Sequence, residues 1–283
     1  MLGSGIVDHL LKLKYPFDLL DRSVISYDDD SKNISLLNDY DVIIHAAANT
    51  NAEECEKNPK DCFRDNTLLT EKLAYASSKT GCTFVFISST GVYGKYEESR
   101  PYTEHDIARP TTVHHKSKLL AESAVIKWCK SYLIIRTGWL FGGSPKNAKN
   151  FVARRIEEAL NKGEFIESNI QQLGCPTWSE DVAMTIIKLV ESPQVGIFNV
   201  VNQGSATRFD YVRHILASAG ISKDVRPVNA DSFKRLADVS NNESAECLKL
   251  SQIGFDLLPP WQLSLDKYIK QDLSAWLSSK SSS

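Results

Sequence analysis

Residues 83–94 read Thr-Phe-Val-Phe-Ile-Ser-Ser-Thr-Gly-Val-Tyr-Gly, and this stretch decides the fold. Its first five residues are β-branched or apolar on both faces of an extended chain, and Ser88 follows them. A strand that is apolar on both faces is covered on both sides, which is the habit of parallel sheets. The pattern recurs outward from it, at residues 41–47 (DVIIHAA) and 132–136 (YLIIR). Residues 23–27 (SVISY) read as a shorter strand. Between them, apolar residues fall at helical spacing over 67–79 (Leu68, Leu69, Leu73, Ala74, Ala76) and 116–129 (Leu119, Leu120, Ala124, Val125, Trp128). Strand and helix alternate, so the first ~140 residues predict a doubly wound parallel α/β sheet. The second half is more mixed. Helices are expected over 153–161, 181–190, 209–219 and 263–276, with a short strand over 196–201 and a frayed tail over 278–283.

The chain has 283 residues, 42% hydrophobic and 24% charged, with a formal net charge of -2. That balance gives no reason to expect a nucleic-acid or membrane partner. No apolar run approaches the ~20 residues of a membrane span. Asp8 and His9 interrupt the first apolar stretch, so no signal peptide is read and a cytoplasmic location is expected. The six cysteines form no C-x-x-C pair. Cys55 and Cys62 stand seven apart, but no third or fourth ligand clusters with them in sequence. They read as reduced, buried thiols, and no metal is expected.

Several segments then match one family in order. They are His45-Ala46-Ala47-Ala48-Asn49-Thr50, Ile87 through Gly94, Pro110 through Ser117-Lys118-Leu119, and Arg136 through Gly142. Asn150-Phe151, Gly174-Cys175-Pro176-Thr177 with Asp181-Val182-Ala183, and Pro260-Trp261 follow. On these the chain resembles the dTDP-4-dehydrorhamnose reductases, within the extended short-chain dehydrogenases/reductases, from Met1 to about residue 273. The resemblance implies a Rossmann sheet over 1–142 that binds NADPH or NADH. Over 143–283 it implies a smaller substrate-binding lobe, with segments returning to the sheet. A nucleotide-sugar substrate is implied; a homodimer is left open.

A dinucleotide fold needs strand, glycine-rich turn and helix, so that backbone can approach the pyrophosphate. By the resemblance, Gly3 corresponds to the third glycine of that turn. The first strand and first two glycines would precede Met1. A helix start at Gly3 and Gly5 is the alternative. Asp21 and Asp28 are candidates for the adenosine ribose, and Arg22 for a 2′-phosphate. Ala46, Ala47 and Ala48 permit close approach to the cofactor, and Asn66 braces this region.

A ketone reductase needs a hydroxyl to hold the carbonyl oxygen and a proton donor for the developing alkoxide. The resemblance assigns the hydroxyl to Ser89, with Thr90 its neighbour, and the ribose-binding lysine to Lys118. A tyrosine is implied four residues earlier, on the same helix face. His114 stands there instead, followed by His115. Histidine has an unperturbed pKa about 3.5 below that of tyrosine, and a Lys118 ammonium would push it lower. His114 is therefore expected to donate or relay the proton, with Tyr93 another donor in the region. Trp139, Thr50, Thr90, Asn150 and Arg154 are the substrate-binding candidates, the arginine for a diphosphate. The alternatives are a non-catalytic sugar-nucleotide binding protein and, third, an epimerase or dehydratase.

Overall fold

The computed structural model describes residues 2–95, 100–161 and 163–281. Four parallel strands form the central sheet: β1 (Val42–His45), β2 (Thr83–Ser89), β3 (Tyr132–Thr137) and β8 (Gly196–Val200), in the order β1-β2-β3-β8. Their apolar faces explain the arrangement. Val85, Ile87, Leu133, Ile135, Phe198 and Val200 meet α1 (Leu2–Leu13) and α8 (Ser179–Val190) on one side. Ile43, Phe84, Phe86 and Ile134 meet α2 (Asp30–Leu37), α5 (Leu69–Thr80) and α6 (Val113–Trp128) on the other. Phe84 and Phe86 are fully buried, each worth about 1.5–3 kcal/mol. The doubly wound α/β sheet read from the sequence is therefore present.

Residues 23–27 are not a strand. Arg22–Val24 is a single 3-10 turn capped by Asp21; Ile25 is buried in the core and Tyr27 packs against it. A strand needs a neighbour for its backbone groups. Among the described residues β1 is the sheet edge, and this segment pairs with no strand. Helix α1 begins at Leu2, so Gly3 and Gly5 lie inside its first turns and not in a phosphate-binding loop. Gly5 has a packing reason: an added Cβ would stand 3.4 Å from the Ser179 carbonyl of α8.

The second half builds on three short pairings. These are β4 (Trp139–Phe141) with β7 (Pro176–Trp178), β5 (Phe165–Asn169) with β10 (Asp224–Val228), and β6 (Leu173–Gly174) with β9 (Ala206–Thr207). Around them pack α7 (Phe151–Asn161), α9 (Arg208–Ser218) and α11 (Trp261–Tyr268), sharing Phe141, Ile156, Tyr211 and Leu265. The C-terminal end is helical through residue 281, where fraying was expected, because a π-turn (Ile269–Leu273) continues α11 and buries Leu273. Among the described residues, no helix is long and apolar enough to cross a membrane.

Candidate active site

Ser89 and Thr137 end β2 and β3 in register, whereas His45, the last residue of β1, pairs with Phe86 three residues short of Ser89. In open α/β sheets ligands bind beyond the carboxyl ends of the strands. Ser89 caps the 3-10 turn that follows: its Oγ accepts from the Gly91 amide at 3.2 Å, which leaves the hydroxyl proton free to donate. It is half-buried, whereas Thr90 is fully buried in the turn.

Helix α6 starts at Val113, earlier than its apolar spacing suggests, because Thr112 Oγ1 accepts from the His115 amide. His114, His115, Ser117 and Lys118 thus occupy its first two turns. Lys118 is 4% exposed. Its Nζ lies 3.9 Å from the centre of the Phe86 ring, three residues before Ser89 on the same strand, and makes no hydrogen bond among the described residues. Burial lowers its pKa to about 7, against the opposing pull of Glu122 and Cys62.

His114 is buried, and its Nδ1 lies 3.5 Å from the Asn66 amide nitrogen. Burial, then the neighbouring His115 and Lys118 charges, lower its pKa to about 3, while a hydrogen bond with the Asn49 backbone acts the other way. The direction expected from Lys118 holds, but burial is the larger cause. His115 was not singled out as a site residue. Its ring lies against Gly91, where any Cβ would overlap the imidazole. The glycine two residues after Ser89 was the signal. Tyr93 is no donor: it is fully buried, stacks on Tyr102, and donates to Asn199 Oδ1 at 2.8 Å.

Cys55 of α3 (Ala52–Lys57) and Cys62 of α4 (Pro59–Phe63) do have a third partner, contrary to the sequence reading. The His114 ring joins them, and the three ligand atoms lie within 4.8 Å of one another. The residues come from three helices, so no local spacing could reveal them.

On the cofactor side, the α1 N-terminus reaches the alanine run: a Cβ at Gly3 would stand 4.0 Å from Ala46 Cβ. Ala46 and Ala48 are half-buried and Ala47 is exposed. Asn66 does not reach outward. It is 1% exposed and clamps the loop after β1, accepting from the Asn49 amide at 2.7 Å and donating to the Asn49 carbonyl at 3.0 Å. Arg22 pairs with Asp65 at 2.8 Å, and Asp28 is exposed.

On the substrate side, Asn150 is also structural. It is fully buried, its side chain caps α7 at the Ala153 amide, and its amide nitrogen meets Tyr268 Oη at 2.7 Å. Trp139 is half-buried, but Arg208 already lies over its ring at 3.4 Å, so that face is not open to a sugar. Its indole nitrogen donates to Glu243 at 2.7 Å. Arg208 was missed by the sequence reading. Burial lowers its pKa to about 10, with Arg235 and Arg154 among the nearby charges that lower it further and Glu243 opposing. Arg154 is exposed, while Arg155 is held by Glu158 at 2.6 Å. Thr50 is exposed and accepts from Lys149 at 3.0 Å.

Behind the site, Arg136 and Glu122 form a buried ion pair at 2.6 Å, 5% and 2% exposed. Glu122 also accepts from Ser88 Oγ at 2.5 Å, which ties α6 to the end of β2.

The RmlD substrate binding domain model matches residues 1–274. The chain belongs to this family. Among curated relatives, the spore coat polysaccharide biosynthesis protein SpsK of Bacillus subtilis is 30% identical over 68% of this chain, and the match spans 66% of SpsK. The dTDP-4-dehydrorhamnose reductase of Mycolicibacterium smegmatis is 26% identical over 94% of this chain and 81% of that protein. Among solved structures, the dTDP-4-dehydrorhamnose reductase of Bacillus anthracis in complex with NADP superposes with a TM-score of 0.87, at 27% identity over 95% of each chain. The RmlD-family chain therefore has the extended short-chain dehydrogenase/reductase fold.

Proposed function

We propose that this RmlD-family chain is an NAD(P)H-dependent reductase of a nucleotide-linked 4-keto-6-deoxysugar. The observation that carries it is a strand that ends at Ser89, whose Oγ accepts from its own turn, and that carries against its Phe86 ring the buried Lys118 amine of α6, which has no hydrogen bond among the described residues. The names of the relatives supply the substrate class. The cofactor fits the residues present: a helix N-terminus, which attracts phosphate, meets small side chains at Gly3 and Ala46. When bound, the nicotinamide supplies the hydride.

The chain's own residues do the rest. Ser89 donates to the ketone oxygen, and the bond strengthens as charge develops there. Lys118 orients the nicotinamide ribose. His114 is neutral at pH 7, so it relays a proton and does not store one. Lys118, with a pKa of about 7, is the store. Arg154 and Arg208 take the substrate diphosphate. All six cysteines are free, which fits a cytoplasmic setting.

One observation favours a non-catalytic sugar-nucleotide binder instead: the His114 ring lies against Asn66 and the two cysteines. Titration with NADPH and NADH, followed by nicotinamide fluorescence, separates the readings when coupled to turnover of the ketosugar. Binding with turnover supports the reductase. Binding of the sugar nucleotide with no cofactor binding supports the binder.

A further inference from the structure

Cys55, Cys62 and His114 are all buried, the two cysteines completely. Their donor atoms lie within 4.8 Å of one another. In a tetrahedral zinc site, bond lengths near 2.3 Å for sulfur and 2.0–2.1 Å for nitrogen put the ligand atoms about 3.5–3.8 Å apart. Small side-chain rotations close that difference.

The Asn66 amide is shared among more acceptors than it can serve. The Asn66 amide has two hydrogens and four acceptors within reach. They are the Asn49 carbonyl at 3.0 Å, Ser117 Oγ at 3.0 Å, Cys62 Sγ at 3.5 Å and His114 Nδ1 at 3.5 Å. Two bonds form at once, and the shorter pair takes them. The Ser117 hydroxyl gives its own hydrogen to the His114 carbonyl at 2.6 Å. The sulfurs are held by their own long thiol contacts, Cys62 Sγ to Ser117 Oγ at 3.4 Å and Cys55 Sγ to the Asn49 carbonyl at 3.8 Å, and the imidazole by the Asn49 backbone, weak bonds that sulfur–metal bonds would replace. No carboxylate belongs to the cluster, which disfavours calcium or magnesium.

We propose that Cys55, Cys62 and His114 form a binding site for a thiophilic divalent cation of the zinc class. Two thiolates, a neutral imidazole and a dication sum to zero charge, which suits a buried position. Each thiol releases its proton to solvent as its sulfur–metal bond forms. Three protein ligands leave the fourth position to water. The site goes beyond the reductase reading and exists or not independently of it. If both hold, the metal occupies the imidazole that relays the proton, so occupancy suppresses turnover.

The test needs neither cofactor nor substrate. The full chain, reduced and stripped of metal, is titrated with cobalt(II) and then with zinc(II). The expected result is one equivalent bound, with near-ultraviolet thiolate-to-cobalt absorption that zinc abolishes. Cys55→Ser and Cys62→Ser should each weaken binding by roughly a hundredfold. Cobalt uptake without thiolate absorption overturns the site, as does absorption unchanged in both variants. Should a serine variant fail to fold, the wild-type spectrum decides alone: no thiolate band, no site.

Discussion

Replacing Lys118 by methionine should make the protein more stable. Lys118 is 4% exposed and rests on the Phe86 ring. Burial lowers its pKa from 10.5 to about 7. Each pKa unit is worth about 1.4 kcal/mol, so keeping this charge in the folded state costs on the order of 5 kcal/mol. In the unfolded chain Lys118 stays protonated to above pH 10. In the folded chain it loses its proton near pH 7. Between these values the unfolded state holds more protons, so wild-type stability rises with pH. Below pH 7 both states are protonated and the full cost is felt. Methionine has similar reach and packs well on an aromatic ring. Urea unfolding of wild type and Lys118→Met at pH 6, 8 and 10 measures the difference. The variant should lead by several kcal/mol at pH 6, and the lead should shrink as pH rises toward 10. A variant no more stable at pH 6, or a lead independent of pH, would refute the reasoning. A lysine retained at such a cost has a role that a core residue lacks.

Glu122→Gln should destabilise the fold by about 3–5 kcal/mol in the same assay, because it strands the buried Arg136 charge. Ser89→Ala should lower kcat by roughly a hundredfold or more while leaving the unfolding midpoint nearly unchanged, since Ser89 bonds only its own turn. Arg208→Met should raise KM for the nucleotide sugar by roughly tenfold or more with kcat little altered, the mark of lost ground-state binding. The rate should fall as pH rises through about 7, when Lys118 loses its proton; a rate flat to pH 9 would remove Lys118 as the proton store.

The sheet was legible because β1, β2 and β3 are apolar on both faces, a property local to each strand. Residues 23–27 carry the same composition but form no strand, since pairing depends on a neighbour and not on the segment. The start of α6 was misplaced because Thr112, His114 and His115 are polar; a cap, not apolar spacing, begins that helix. Ser89 and Lys118 were found by family likeness; the structure places Ser89 at the end of β2 and packs Lys118 on Phe86 of the same strand. Asn66, Asn150 and Trp139 were found the same way, yet their polar groups are engaged within the protein. A motif marks a position without saying which way its side chain is occupied. Arg208 and the Cys55–Cys62–His114 cluster were invisible for another reason: each depends on elements distant in the chain.

The histidine at position 114 changes more than the identity of a proton donor. His114, His115 and Lys118 crowd the first two turns of α6; burial lowers all three pKa values, and the Lys118 charge lowers the two histidines further. Three basic groups so close do not hold three protons at neutral pH. The one with the highest pKa keeps the proton, and that is Lys118, about 7 against about 3 for His114. A tyrosine at 114 would enter this cluster as an acid with a pKa that a nearby ammonium lowers toward neutrality. A histidine enters as a base that the same ammonium keeps unprotonated. On the proposed reductase reading, the transferable proton then sits at position 118 and not at 114, one helical turn away. The histidine also leaves at 114 a lone pair, which a proton would have blocked and which a soft cation can use.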